Sequence, residues 1–185
     1  EAIRKVCTKY DMPLFIDGAR LGYALTATGN DVTLEDIARI ADVFYIGGTK
    51  VGAMFGEAVV FTHGNMPKNF VTLVKQHGAL LAKGWLLGVQ FDTLFTDDLY
   101  CRIARHANDA ADRIREVLVE RGYTLTFDAP TNQIFITLDN ATSERLQRNV
   151  RLGFMEKADD THTVMRICTS WATTDEQVEQ LIALL

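Results

Sequence analysis

Short, continuously apolar runs alternate with amphipathic stretches in the first third of the chain. Residues 12–16 and 43–46 are apolar throughout, as is typical of parallel strands that are covered on both faces. A third run, residues 57–62, is predicted to pair beside the second. Thr33, followed three residues later by Asp36, resembles a capping box and predicts the start of a short helix between the strands. This order indicates βαβ organisation, in which ligands bind at the carboxyl ends of the strands.

The remainder of the chain changes from helical to mixed patterning. Residues 68–92 carry many apolar side chains with interspersed glycines and are predicted to be helical. Apolar positions then recur every three or four residues from about Asp97 until Gly122, which predicts a long helix. The last third has an α+β pattern, with strands predicted at residues 123–127, 133–138 and 163–169, and helices at residues 143–150 and 173–185, the last opening on a capping box of Thr173 and Glu176.

These patterns predict two domains that are divided within the long helix. Residues 1–97 are expected to form the C-terminal part of a large α/β domain, with a mostly parallel sheet and linking helices. Residues 98–185 are expected to form a small α+β domain. Because the chain opens inside an amphipathic helix, we expect the N-terminal part of the large domain to precede Glu1.

Composition and charge narrow the classes of function. The chain has 185 residues, 48% of them hydrophobic, and a net charge of −5 with acidic and basic residues interleaved, so no nucleic-acid partner is expected. No apolar stretch is long enough to span a bilayer, and no membrane partner is expected. The three cysteines lack metal or redox spacing, which predicts no metal site and favours a cytoplasmic location.

Polar side chains follow the first two predicted strands. Asp17 comes directly after one strand and Arg20 three residues later, while Thr49 and Lys50 follow the other strand through two glycines. An acid, a cation and an amine at one sheet edge are what a pyridoxal phosphate site needs, for the ring nitrogen, the ring hydroxyl and the aldehyde. From spacing alone two alternatives stay open: Asp17 caps a local turn or pairs with Arg20, and Lys50 is an exposed surface residue.

Three segments carry a resemblance to a known family. Residues 14–20 (LFIDGAR), 49–52 (TKVG) and 131–135 (TNQIF) resemble the threonine aldolase and β-eliminating lyase group of pyridoxal phosphate enzymes. The group has the aspartate aminotransferase fold, called fold type I, and the resemblance covers the whole chain in order. It implies that residues 1–97 belong to a large domain that binds pyridoxal 5'-phosphate, and that the small C-terminal α+β domain follows.

The resemblance also implies roles for individual residues. Asp17 would lie at the ring nitrogen, Arg20 near the ring hydroxyl, and Lys50 would be the catalytic lysine that holds the cofactor as a Schiff base. Thr49 and Lys75 would also contact the cofactor. On a late strand, an arginine of the family grips the substrate carboxylate, and Arg166 matches that position in this sequence.

The activity that the resemblance implies is cleavage of a β-hydroxy-α-amino acid, of the L-threonine or L-allo-threonine type, to glycine and an aldehyde. A homodimer or homotetramer with shared active sites is implied as well. The general base, the residue stacked on the ring and the main phosphate loop are expected upstream of Glu1. Two alternatives remain: another fold-type-I enzyme, such as a β-eliminating lyase, racemase or aminotransferase, or a non-catalytic domain with a structural charge cluster.

Overall fold

The computed structural model describes all 185 residues, which divide into two compact units. The first unit comprises residues 1–25 and 31–101, and the second comprises residues 26–30 and 102–185. The assignment of residues 1–97 and 98–185 to a cofactor domain and a small domain stays a prediction. None of the helices is both long enough and apolar enough to cross a membrane.

The first unit is built on a three-stranded sheet in which β1 pairs in parallel with β2, and β3 pairs antiparallel with β2. Its strands are β1 (Phe15–Ile16), β2 (Val43–Gly47) and β3 (Glu57–Phe61), and its helices are α1 (Ala2–Lys9), α2 (Leu21–Leu25), α3 (Leu34–Ile40), α4 (Phe70–Gln76) and α5 (Trp85–Phe95). The predicted βαβ order and the predicted pairing of the third run with the second are confirmed.

The first strand is shorter and more open than its apolar run predicts. Only Phe15 and Ile16 form the ladder, and Phe15 is 59% exposed within this chain. The reason lies one residue earlier, where the Leu14 N–H donates to the carboxylate of Asp42 at 2.7 Å. A side chain thus takes the place of a strand partner for the Leu14 N–H, whereas the Leu14 carbonyl accepts the backbone N–H groups of Asp42 and Val43.

Local capping places α3 where the sequence predicts it. Thr33 Oγ1 accepts the N–H of Asp36 at 3.2 Å, and Asp36 Oδ2 accepts the N–H of Thr33 at 3.0 Å, which completes the predicted capping box. The predicted helical stretch of residues 68–92 is instead divided into α4 and α5. Gly78, with φ of 72°, ends α4 in the left-handed conformation that glycine adopts readily.

The second unit packs helices on an antiparallel sheet with strand order β4-β5-β7-β6. Its elements are α6 (Leu99–Glu120, which begins in the first unit), β4 (Thr124–Leu125), β5 (Gln133–Asp139), α7 (Asn140–Gln147), β6 (Gly153–Lys157), β7 (His162–Cys168) and α8 (Asp175–Leu184). The core joins α6 to both central strands through side chains such as Ile114, Leu118, Ile136 and Met165. The predicted long helix and its end at Gly122 are confirmed.

Two details of the second unit differ from the sequence analysis. Strand β6 was not predicted, because its residues after Gly153 are exposed and lack alternating burial; pairing with β7 alone defines it. The capping box that begins helix α8 lies one residue later than expected. It uses Thr174 and Gln177, whereas the Thr173 hydroxyl accepts the N–H of Ser170 at 2.8 Å.

The ends of β1 and β2 approach each other closely enough to require glycine. A Cβ on Gly18 would lie 1.7 Å from the Tyr45 carbonyl oxygen, and one on Gly47 would lie 2.3 Å from the Ala19 carbonyl oxygen. The Gly47 N–H donates to the Gly18 carbonyl at 2.9 Å across this contact. The absence of side chains at both positions therefore brings the two strand ends together.

Replacing Gly47 with alanine tests this close packing. We expect Gly47→Ala to lower the free energy of unfolding by about 1 to 3 kcal/mol, since backbone must move to admit the methyl group. Gly88→Ala is the matched control, because a Cβ there meets nothing within 4 Å, and its position in α5 favours alanine by up to about 1 kcal/mol. Urea denaturation of the full-length protein gives both values, and equal losses would contradict the packing argument.

Candidate active site

The candidate site lies in the first unit, where the segments that follow β1 and β2 meet. Asp17 and Arg20 belong to the segment after β1, and Thr49 and Lys50 belong to the turn after β2. The hydrogen bond between Gly18 and Gly47 joins these segments. The structure therefore places Asp17, Arg20 and Lys50 in one unit at the carboxyl ends of two parallel strands, which is the usual position of ligand sites in α/β sheets.

The Asp17 carboxylate is held through one of its two oxygens. Oδ1 accepts the Ala19 N–H at 3.0 Å and the Tyr45 hydroxyl, while Oδ2 accepts no hydrogen bond. These hydrogen bonds, with the charges of Lys50 and Arg20, hold the pKa of Asp17 below its usual range. Asp17 thus caps the local turn, which was one of the two alternatives left open by the sequence, and it forms no ion pair with Arg20. The carboxylate stays ionised, and its Oδ2 atom is free to accept a hydrogen bond.

Lys50 is fixed through its backbone, and its side chain has no partner. Its carbonyl accepts a hydrogen bond from the hydroxyl of Tyr23, which is buried. The amine makes neither a hydrogen bond nor an ion pair, although the residue is half-buried. The Lys50 amine is therefore available to a ligand, and its catalytic role stays a prediction.

A second buried tyrosine fixes the end of β2. The Tyr100 hydroxyl donates to the Gly47 carbonyl at 2.9 Å and accepts the Gly22 N–H at 3.0 Å. Burial raises the pKa of Tyr100, so its hydroxyl remains protonated and can serve both contacts. The hydroxyl ties β2 to α2, which follows Arg20 directly.

The turn that carries Lys50 is held at its first residue. The Gly48 N–H donates to the Glu57 carboxylate at 2.8 Å, and the Gly48 carbonyl accepts the Val51 N–H at 2.9 Å. Val51 is fully buried, whereas Thr49 is exposed. The turn therefore buries its third side chain and presents Thr49 and Lys50 at the surface of the unit.

Arg20 has an unsatisfied donor. The residue is half-buried, forms no ion pair, and its Nε is buried without a hydrogen-bond acceptor. Buried donors are normally satisfied. An acceptor oxygen that approaches Arg20 would remove this deficit.

Two predicted residues lie apart from this cluster in the chain. Lys75 is exposed on α4, and its side chain makes no hydrogen bond or ion pair. Arg166 lies on β7 in the second unit, where its Nη1 donates to Gln133 Oε1 at 3.2 Å. Its Nε is buried without an acceptor, and the facing residue is Gly153, on which a Cβ would lie 3.6 Å from that nitrogen. One edge of the guanidinium is thus held and another lacks a partner.

Several residues that hold the site were not predicted from the sequence. Tyr45 continues the parallel pairing of β1 with β2, and that register is visible only in the folded structure. No local pattern marks Tyr23 or Tyr100, because their partners are distant in sequence. Gln133 lies in the TNQIF motif, but its contact with Arg166 on another strand was not predicted.

The chain is similar in sequence to two proteins that carry the same name. The chain is 29% identical over 182 residues to a low specificity L-threonine aldolase from Pseudomonas aeruginosa, covering 98% of this chain and 52% of that protein. A second low specificity L-threonine aldolase, from a Pseudomonas species, is 29% identical over 184 residues and is covered to 52% of its length. The chain thus spans about half the length of these relatives.

Solved structures agree on the fold. Threonine aldolase from Leishmania major superposes with a TM-score of 0.94 at 40% identity, over 98% of this chain and 53% of that one. Serine palmitoyltransferase from Sphingomonas wittichii superposes with a TM-score of 0.67 at 17% identity, over 98% of this chain and 48% of that one. The predicted α/β fold of the transferase-like type is confirmed.

A family model covers most of the chain and includes the whole cluster of Asp17, Arg20 and Lys50. The model is that of the beta-eliminating lyases, and it matches residues 1–142. The resemblance found in the sequence motifs is therefore confirmed, and the chain belongs to the beta-eliminating lyase family.

Proposed function

We propose that the protein of which this chain forms part binds pyridoxal 5'-phosphate and cleaves a β-hydroxy-α-amino acid to glycine and an aldehyde. The observation that carries the proposal is the meeting of Asp17, Arg20 and Lys50 at two strand ends, with Arg20 Nε and the Lys50 amine both without protein partners. The threonine aldolases among the relatives support the choice of substrate class.

The residues present fit this cofactor. The open Oδ2 of Asp17 would pair with the ring nitrogen, the unsatisfied Nε of Arg20 would meet the ring hydroxyl, and the Lys50 amine would hold the aldehyde covalently. Thr49 and Lys75 would add polar contacts from the lysine turn and from α4. When bound, the cofactor supplies an electron sink for the charge released as a bond to the α-carbon breaks.

In the proposed reaction, residues of this chain would keep the cofactor protonated and orient the substrate. Asp17 stays ionised at neutral pH and can keep a partner nitrogen protonated. Arg166, steadied by Gln133, would bind the substrate carboxylate through its free edge, a geometry that arginine provides better than lysine. The rigid turn that carries Lys50 would keep its amine in place between substrate exchanges.

The balanced reaction for threonine breaks the bond between Cα and Cβ and yields glycine and acetaldehyde. The hydroxyl proton of the substrate is removed and a proton is returned to Cα.

We also propose that the protein assembles as a homodimer or homotetramer with shared sites, as the family resemblance implies. The three cysteines, Cys7, Cys101 and Cys168, lack the spacing of a metal or redox site, which supports a cytoplasmic location.

Covalent trapping tests the role of Lys50. Borohydride reduction of the full-length protein with pyridoxal phosphate should leave a pyridoxyl group on the peptide that contains Lys50. Lys50→Ala should abolish this product and lower aldol cleavage by about a thousandfold or more, because a nucleophile is lost. Lys5→Ala, which removes an exposed lysine of α1, should change neither. An adduct on another lysine would overturn the assignment.

Conservative replacement tests Arg166 as the carboxylate anchor. Arg166→Lys keeps the charge but loses the paired donors, so KM for the amino acid should rise by about 10- to 100-fold. The dissociation constant for pyridoxal phosphate should stay unchanged. Arg151→Lys, at an exposed arginine, is the control and should leave both quantities unchanged. Weaker cofactor binding with an unaltered KM would place Arg166 elsewhere in the site.

Product analysis separates the proposed aldolase from other reactions of the family. Full-length protein with L-threonine or L-allo-threonine should yield glycine and acetaldehyde in equal amounts. Elimination from the same substrates would instead give 2-oxobutanoate and ammonia. Cofactor binding without glycine release would refute the aldolase assignment while leaving the pyridoxal phosphate site intact.

A further inference from the structure

The Tyr45 hydroxyl is the side-chain donor that β2 supplies to Asp17. It donates to Oδ1, the same oxygen that accepts the Ala19 N–H at 3.0 Å. Because both donors meet Oδ1, Oδ2 keeps its full capacity to accept a hydrogen bond. The two contacts also fix the plane of the carboxylate, since one comes from its own turn and the other from the neighbouring strand.

Strand register explains why Tyr45 reaches this carboxylate. Ile16 lies opposite Phe44 in the parallel pairing of β1 with β2, so one further step along each strand brings Asp17 beside Tyr45. Side chains two residues apart share a face of a strand. Phe15 accordingly lies near Tyr45, with their ring centres 6.1 Å apart, and limits the movement of the tyrosine ring.

The charges around the pair favour one protonation state. The hydrogen bond to Asp17, above other causes, raises the pKa of Tyr45 to about 12, and the nearby Glu57 acts in the same direction. The Tyr45 hydroxyl therefore remains protonated at neutral pH and can donate to Asp17. The same hydrogen bond is the largest cause that lowers the pKa of Asp17, and Lys50 and Arg20 add to it.

We propose that Tyr45 is a positioning residue for the cofactor, which holds Asp17 ionised and turned so that its free Oδ2 meets the ring nitrogen. This inference rests on the proposed function. Tyr45 contributes through Asp17 and not through the stability of the sheet, because the backbone ladder already joins β1 to β2 and the glycine contact already closes their ends. The residue is distinct from Arg20, Lys50 and Arg166, each of which would contact cofactor or substrate itself.

Removal of one hydroxyl group tests the inference directly. Tyr45→Phe in the full-length protein keeps the ring and deletes the donor, so the dissociation constant for pyridoxal phosphate at pH 7.5 should rise about tenfold. Binding is followed by absorbance at equilibrium, without turnover. Tyr10→Phe, at an exposed tyrosine whose hydroxyl has no partner, is the matched control and should leave the affinity unchanged. The melting temperature of both cofactor-free variants should match that of the unsubstituted protein.

The pH at which the protein releases its cofactor on acidification gives a second test. In the unsubstituted protein the lowered pKa of Asp17 preserves its charge into acid. Without the tyrosine donor that pKa moves back up toward its ordinary value, so the carboxylate becomes protonated at a higher pH. The pH at which Tyr45→Phe releases half of its cofactor should therefore be higher than in the unsubstituted protein. An unchanged or lower release pH would overturn the inference.

A double-mutant cycle shows whether Tyr45 affects cofactor affinity through Asp17 or independently of it. In the background of Asp17→Asn, adding Tyr45→Phe should change cofactor affinity by less than about twofold, because the charge that the tyrosine supports is already absent. An equal tenfold loss in both backgrounds would contradict the proposed route. If the unsubstituted protein binds no pyridoxal phosphate, the proposed function fails. If it binds and Tyr45→Phe binds equally well, only the role of Tyr45 fails.

Discussion

The close contact between Gly18 and Gly47 is the constraint on which the candidate site depends. A methyl group at either position would overlap a backbone carbonyl, and the hydrogen bond between the two residues spans the gap. The contact brings the segment after β1 against the end of β2. Asp17 then lies beside Tyr45, and Lys50 follows three residues after Gly47 in a turn that begins at the same contact. A weaker approach of these strand ends would separate the acid from the amine.

Hydroxyl groups, backbone amides and two carboxylates hold this arrangement, whereas the charged ends of Arg20 and Lys50 form no hydrogen bond within it. The Tyr23 and Tyr100 hydroxyls bind backbone carbonyls at the end of β2 and in the lysine turn, and backbone amides complete the turn. Arg20 and Lys50 form no ion pair, although both are half-buried and their charges act on the exposed Asp17 carboxylate. A structural charge cluster would be expected to neutralise itself, because unpaired charges are costly to bury. The arrangement instead resembles a site that keeps its charges for a ligand, and local cost of this kind is typical of functional positions.

The second unit, which has an antiparallel sheet, also contains a charged side chain with an unsatisfied donor. Arg166 is held at Nη1 by Gln133 and has a buried, unsatisfied Nε opposite Gly153. One contact fixes the guanidinium plane, and the small facing residue leaves the other edge uncrowded. The fold that carries these residues is shared closely with a threonine aldolase, with a TM-score of 0.94 at 40% identity. Backbone geometry is therefore retained while more than half of the side chains differ.

The sequence by itself determined the elements whose signals are local. Thr33 and Asp36 predicted their capping box, and the apolar periodicity with Gly122 predicted the long helix, because both depend on neighbours within a few residues. The capping box predicted at Thr173 was wrong by one residue, because the Thr173 hydroxyl accepts the Ser170 N–H and Thr174 caps α8 instead. The motifs marked Asp17, Arg20 and Lys50 as candidates. Only the tertiary structure decided which of their atoms stay open, since strand register selects Tyr45 as the partner of Asp17 and such long-range pairing leaves no local pattern.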